Sequence, residues 1–138
     1  MASIIGLFCA ALPAAAADRV PRLHALTDTW TVSGLSSGGY MASQIAVAHS
    51  RSVRGVGIFA GGPYYCVGID LRRAEGECMK GVPDPAAARR EAERLASLRL
   101  IDPVENLKST RAWVLAGAVD AVVAESVVRA TAQFFAAF

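Results

Sequence analysis

The stretch from Thr29 to Ser50, "TWTVSGLSSGGYMASQIAVAHS", decides the fold. Its first part alternates β-branched and small residues and reads as a strand that ends near Gly34. Its last part, Tyr40 to His49, is rich in Ala, Ile, Met and Gln and reads as a mostly apolar helix, buried against a sheet. Between them Gly34-Leu35-Ser36-Ser37-Gly38 fits G-x-S-x-G at a strand-to-helix turn, the setting that this pattern requires. A serine hydroxyl is a weak nucleophile and has to be lifted clear of the sheet toward a base. A sharp turn does this but crowds the backbone, and small residues two before and two after the serine relieve the crowding. Ser36 has glycine at both offsets, whereas Ser37 has Leu35 two before it, so Ser36 is the candidate nucleophile. The backbone N–H of Ser37, at the start of the helix, is the expected oxyanion donor. The competing reading is a plain Gly-Ser turn, since such turns are common.

Outward from this stretch the same alternation continues. "VRGVGIFAGG" (Val53 to Gly62) reads as a buried strand, and Pro63 to Pro83 as a long loop. A helix opens with Asp84 as N-cap and Pro85 at its first position. "RAWVLAGAVD" (Arg111 to Asp120) reads as a second buried strand with a loop at Asp120, and Glu125 to Phe135 as a final helix. Strands alternating with helices predict the α/β class, a parallel sheet with helices on its faces.

The chain has 138 residues, 54% hydrophobic and 19% charged, with a formal net charge of +2. That size and balance indicate one globular domain and exclude a nucleic-acid binder driven by charge. Residues Ile4 to Ala17 form an apolar stretch with small residues at Ala15 and Ala17, the pattern of a signal peptide cleaved before Asp18. No Lys or Arg precedes it, and a buried helix is the alternative. The expected organisation is a signal peptide over 1–17 and a partial catalytic domain over 18–138. The expected location is secreted or periplasmic, with no stable membrane anchor. Of three cysteines, Cys9 would leave with the leader, and the remaining pair, Cys66 and Cys78, suits a disulfide in an exported chain. Two free thiols are the alternative. Two cysteines with no histidine nearby make a poor zinc site, and neither metal nor cofactor is implied.

A serine hydrolase needs a histidine base and a carboxylate to orient it. Asp120, after a late strand, fits the carboxylate, with a plain loop or N-cap aspartate as the alternative. The two histidines fit poorly. His24 precedes the nucleophile strand. His49 lies thirteen residues after Ser36, near the far end of the same helix, a separation of roughly 20 Å at the helical rise.

Three blocks in order resemble the poly(3-hydroxybutyrate) depolymerases and related esterases: "VSGLSSGGYMASQ", "GVGIFAGGPYYC" (Gly55 to Cys66) and "LIDPVENLKSTRAWVLAGAVDAVV" (Leu100 to Val123). The resemblance implies an α/β-hydrolase fold, Ser36 as nucleophile, Asp120 as the triad aspartate, Ser37 as oxyanion donor, and a polyester or small ester substrate. One subset of that family is circularly permuted, with the nucleophile near the mature N-terminus, which would account for the early position of Ser36. On that pattern the histidine segment and the second oxyanion donor are expected beyond Phe138. The alternatives are a feruloyl or acetyl esterase of the same family and a catalytically inactive remnant.

Overall fold

The computed structural model describes residues 23–26 and 28–138. The expected leader, residues 1–17, lies outside the described residues, and so does Cys9. Strand β1 (Trp30–Leu35) passes through Ser36 into helix α1 (Ser37–Ala48) and then strand β2 (Val53–Phe59). Two single-turn helices follow, α2 (Arg72–Glu75) and α3 (Glu77–Lys80), and then the longer helix α4 (Pro85–Ser97). A 3-10 helix (Val104–Ser109) leads into strand β3 (Arg111–Leu115), and helix α5 (Glu125–Ala136) closes the chain. The three strands form one parallel sheet in the order β1-β2-β3. Parallel neighbours need crossover connections, which α1 and the α2–α4 segment provide. The α/β class read from the sequence is therefore the observed one.

Central strand β2 turns Val53, Val56 and Ile58 toward the core, where they meet Ala42 and Ala46 of α1. The inward face of α1 is made of small residues, Gly39, Ala42, Ser43 and Ala46, with Val47. They let the helix lie close to the strands: a Cβ on Gly39 would stand 2.8 Å from the Phe59 carbonyl oxygen. Beside it, helices α4 and α5 close a second cluster around Phe134, which packs with Val47 of α1, Tyr64, Ala92 and Leu107. Phe134 is 0% exposed, and burial of so large a side chain contributes about 2–3 kcal/mol. Of the terminal residues, Phe134 is thus core, Phe135 and Phe138 pack against it half-buried, and Ala136 and Ala137 are exposed. Asp84 caps α4 by accepting from the Ala86 amide at 2.8 Å, with Pro85 at the first helical position, as the sequence predicts.

Three expectations need correction. Helix α1 begins at Ser37, not Tyr40; glycine tolerates the first turn of a helix that is anchored by packing. The segment from Pro63 to Pro83 is not simply a loop, because α2 and α3 form within it. Strand β3 is not buried: it lies at the sheet edge, with Trp113 61% and Leu115 46% exposed. Only its inward residue Val114 reaches the core clusters. On the outward face Trp113 meets Phe59 edge-on at 5.1 Å, and Leu35 stands open beside them.

Candidate active site

Ser36 sits between the last residue of β1 and the first of α1, with φ 54° and ψ −121°. A positive φ is costly for a residue with a Cβ, of order 1–3 kcal/mol, and persists only where the surroundings impose it. Here both backbone groups are held. The Ser36 amide donates to the Phe59 carbonyl at 2.9 Å, and its carbonyl accepts from the Tyr40 amide at 3.0 Å. The serine side chain is exposed and makes no cap bond to the helix. The hydroxyl therefore stands free at the C-terminal edge of the sheet, over the uncapped N-terminus of α1, where the first amides of a helix have no intrahelical partner.

The two glycines of the pattern do different work. A Cβ on Gly34 would stand 2.1 Å from the Gly38 carbonyl oxygen and 2.2 Å from its carbon. A Cβ on Gly38 would meet nothing within 4 Å. The expectation that both positions relieve crowding is corrected: Gly34 makes room for the backbone of residue 38, and Gly39, against Phe59, is the second crowded position.

Ser36 and Ser37 stand at the rim of an open apolar cavity of about 590 Å³. Ser37, Tyr40, Met41 and Gln44 line it from α1, a face with the i, i+3, i+4, i+7 spacing of a helix. Cys66 and Cys78 are joined as a disulfide with Cα atoms 5.8 Å apart. This disulfide and the segments beside it form the opposite wall. Polar bonds tie the two walls together. The Tyr40 hydroxyl donates to the Cys78 carbonyl, and the Tyr65 amide donates to Gln44 Oε1 at 3.1 Å. Burial pushes the Tyr40 hydroxyl up to about 12, so it remains a donor throughout the physiological range.

Asp120 follows β3 as Ser36 follows β1, so both lie beyond the C-terminal ends of parallel strands, where sites of open α/β sheets form. One strand separates β1 from β3, which sets them about 10 Å apart across the sheet. Asp120 Oδ1 accepts from the amides of Val122 at 2.8 Å and Val123 at 3.0 Å. These bonds, the one from Val123 foremost, hold the carboxyl below the usual carboxylate range. Asp120 is thus a turn-forming aspartate that stays ionised, and α5 is capped at Ala124 rather than by it. Its loop is docked on α3. The Ala124 amide donates to the Met79 carbonyl at 2.8 Å, Lys80 Nζ donates to the Ala121 carbonyl, and Ser126 Oγ donates to the Gly81 carbonyl at 2.6 Å. Val123 carries the loop into the cavity wall beside Ser36.

The histidines are not part of this arrangement. His49 ends α1, its amide donating to the Ile45 carbonyl at 2.9 Å, and its ring lies 6.5 Å from that of Trp30 at the start of β1. It stands at the opposite end of the sheet from Ser36. His24 is exposed in the segment ahead of β1. The cavity wall from Tyr65 to Met79 escaped the sequence reading. The helical spacing of residues 37, 40, 41 and 44 was the available signal for one wall, but nothing local marks the segment that closes over it.

A parallel sheet with a serine at positive φ between strand and helix makes this an α/β-hydrolase-type chain. Relatives narrow the class. The chain is 38% identical over 127 residues to a poly(3-hydroxybutyrate) depolymerase of Delftia acidovorans, a match covering 89% of this chain and 26% of that protein. It is 52% identical over 52 residues to a polyhydroxybutyrate depolymerase of Talaromyces funiculosus, covering 37% of this chain and 15% of that one. The crystal structure of PHB depolymerase from Penicillium funiculosum superposes with a TM-score of 0.71 at 33% identity, over 80% of this chain and 34% of that one. No family model matches the chain. The poly(3-hydroxybutyrate) depolymerases are the family to which this chain is related, and it spans about a quarter of the length of the first of these relatives, 26%.

Proposed function

We propose that this chain carries the nucleophile and aspartate portion of a secreted or periplasmic carboxylic ester hydrolase acting on poly(3-hydroxybutyrate) or a similar polyester. The observation that carries the reading is the backbone of Ser36, held at φ 54° with its hydroxyl exposed above the start of α1. In the reaction Ser36 Oγ attacks the ester carbonyl carbon and passes its proton to an imidazole base. The carbonyl oxygen takes up the negative charge against the Ser37 amide. The intermediate collapses, the alkoxy group leaves with the proton from the imidazolium, and an acyl-serine remains. Water, deprotonated by the same imidazole, attacks the acyl carbon and frees Ser36. Asp120, ionised and fixed by its turn, orients the imidazole. Neither histidine of the sequence suits this role in our reading, with His49 at the far end of the sheet and His24 exposed ahead of β1.

In a longer form of the protein that supplies the base, a fluorophosphonate should label the wild type and the Ser37→Ala variant but not Ser36→Ala. Labelling that survives Ser36→Ala and is lost in Ser37→Ala overturns the assignment. The position of His49 favours a second reading for the 138-residue chain itself, an ester-binding module without turnover. On p-nitrophenyl butyrate it should match its Ser36→Ala variant, because loss of the triad base costs about 10⁶ in turnover.

A further inference from the structure

A second cavity, of about 340 Å³, lies on the other side of Tyr65 and Cys66, which line both it and the cavity beside Ser36. Tyr64 lines it too, and is 5% exposed, with its ring stacked on that of Phe134 at 6.4 Å. That packing fixes the ring. Neither the Tyr64 hydroxyl nor that of Tyr65 has a hydrogen-bond partner among the described residues. Burial foremost, then the Tyr65 hydroxyl and the Glu91 carboxylate, push the Tyr64 hydroxyl up. Tyr65 and Glu91 both line the groove, so the Tyr64 hydroxyl faces into it. Tyr65 has φ 56°, a costly conformation for a residue with a Cβ, and its amide holds it there by donating to Gln44 Oε1 at 3.1 Å. A fixed, largely buried side chain with an unused polar end is uncommon in a folded chain and marks a place for a guest.

The other lining groups select that guest. Glu77, Asp84 and Glu91 line the groove, and each is already paired with a guanidinium: with Arg73 at 2.9 Å, Arg90 at 3.4 Å and Arg94 at 2.6 Å. The charges balance, so a cation gains little, and an anion meets carboxylates on the lining. A carboxylate has about four acceptor sites, and these pairs leave some of them open. The groove therefore offers acceptors on three carboxylates and donors on two phenols, with Pro63, Pro83 and Ala87 as apolar surface between. A neutral ring bearing several hydroxyls matches this, because each hydroxyl both donates and accepts while the C–H faces cover the apolar part.

We propose that this groove is a binding site for a neutral polyhydroxylated ring, a single sugar unit, held by the hydroxyls of Tyr64 and Tyr65 and the carboxylates of Glu77, Asp84 and Glu91. Its volume, about 340 Å³, stands at the lower end of small-molecule sites, roughly 300–1,000 Å³, which suits one ring rather than a chain of them. The site is separate from Ser36 and does not depend on the ester-hydrolase reading.

The test uses the 138-residue chain labelled with ¹³C in its tyrosine rings. The sequence holds three tyrosines. Two line this groove and the third, Tyr40, lines the cavity beside Ser36, so single Tyr→Phe variants assign the signals. The probes are D-glucose, D-galactose, D-mannose and myo-inositol, with sodium gluconate as the anion and agmatine as the cation. At least one neutral probe should shift Tyr64 and Tyr65 saturably and leave Tyr40 in place. Tyr64→Phe, read at Tyr65, should weaken that probe about threefold or more, the worth of one hydrogen bond. The urea midpoint of Tyr64→Phe should not fall, because the hydroxyl removed has no partner within the chain. Glu91→Gln should also weaken the probe about threefold, since a charged acceptor bonds more strongly than a neutral one. A methyl glycoside of the bound sugar tells the sources apart: equal affinity assigns the site to the end of a glycan and lost affinity to a free sugar, and either supports the proposal. No shift with any neutral probe, tighter binding of gluconate or agmatine, a shift confined to Tyr40, or an indifferent Tyr64→Phe variant would each overturn it. Ser36→Ala should bind the sugar as the wild type does, so failure here leaves the hydrolase reading standing, and loss of Ser36 labelling leaves this site standing.

Discussion

The pair Gly34→Ala and Gly38→Ala should have opposite effects on stability, although the motif presents the two glycines as equivalent. At Gly34 the new methyl would lie 2.1 Å from the Gly38 carbonyl oxygen. The obstacle is backbone and cannot rotate away, so the first turn of α1 must move by more than an ångström. That movement also strains the Ser36–Phe59 and Tyr40–Ser36 hydrogen bonds of 2.9 and 3.0 Å. Overpacking alone costs about 1–3 kcal/mol, and loss of one of these bonds adds about 1 kcal/mol. A total near 3 kcal/mol is a large share of the stability of a small domain. At Gly38 the methyl meets nothing within 4 Å. The residue is helical, so alanine lowers the backbone entropy cost and should stabilise by about 0.5–1 kcal/mol. Urea unfolding followed by circular dichroism reads both. With a slope of about 1.5 kcal/mol/M, Gly34→Ala should move the midpoint down by roughly 2 M and Gly38→Ala should move it up by roughly 0.5 M. A destabilised Gly38→Ala, or a Gly34→Ala variant as stable as the wild type, would refute the assignment of the crowding to residue 34.

Three other outcomes follow from the same geometry. Reducing the Cys66–Cys78 bridge, which spans a sequence separation of 12, should cost about 3 kcal/mol in the loop-entropy account, measured as the difference in unfolding midpoint with and without reductant; an unchanged midpoint, with free thiols confirmed by mass spectrometry, would count against it. Tyr40, raised from 10.0 to about 12, contributes stability that is complete below its unfolded pKa and is lost as pH rises through the folded one; the alkaline unfolding limb should therefore flatten in Tyr40→Phe, and an identical limb would contradict the buried hydroxyl. The Asp120 carboxyl is lowered, so the stability it contributes is present above its unfolded value of 3.8 and is lost as pH falls through the folded one; amide exchange at Val122 and Val123 should accelerate in Asp120→Ala at neutral pH and remain slow in Asp120→Asn, which keeps the accepting oxygen, and equal rates in both variants would remove the turn-forming role.

Much of the architecture was legible because its signals are local. β-Branched alternation marked β1, the Asp84-Pro85 pair marked the start of α4, and glycine spacing singled out Ser36, each within a few residues. The α/β alternation and the chemistry available at each turn are written in such local patterns. Which glycine is crowded is not among them, since Gly34 and Gly38 differ in what the folded backbone brings against them. Tertiary packing decides this, and it decides that β3 is an edge strand: "RAWVL" has the composition of a buried strand, and its exposure depends on which segments pack beside it. The cavity has the same origin. Residues 37, 40, 41 and 44 share a helix face by periodicity, but the disulfide-linked segment that walls it lies more than twenty residues further along the chain. Helical spacing is encoded in neighbouring residues, whereas contact between distant segments is set by how whole elements pack, and that information exists only once the chain has folded.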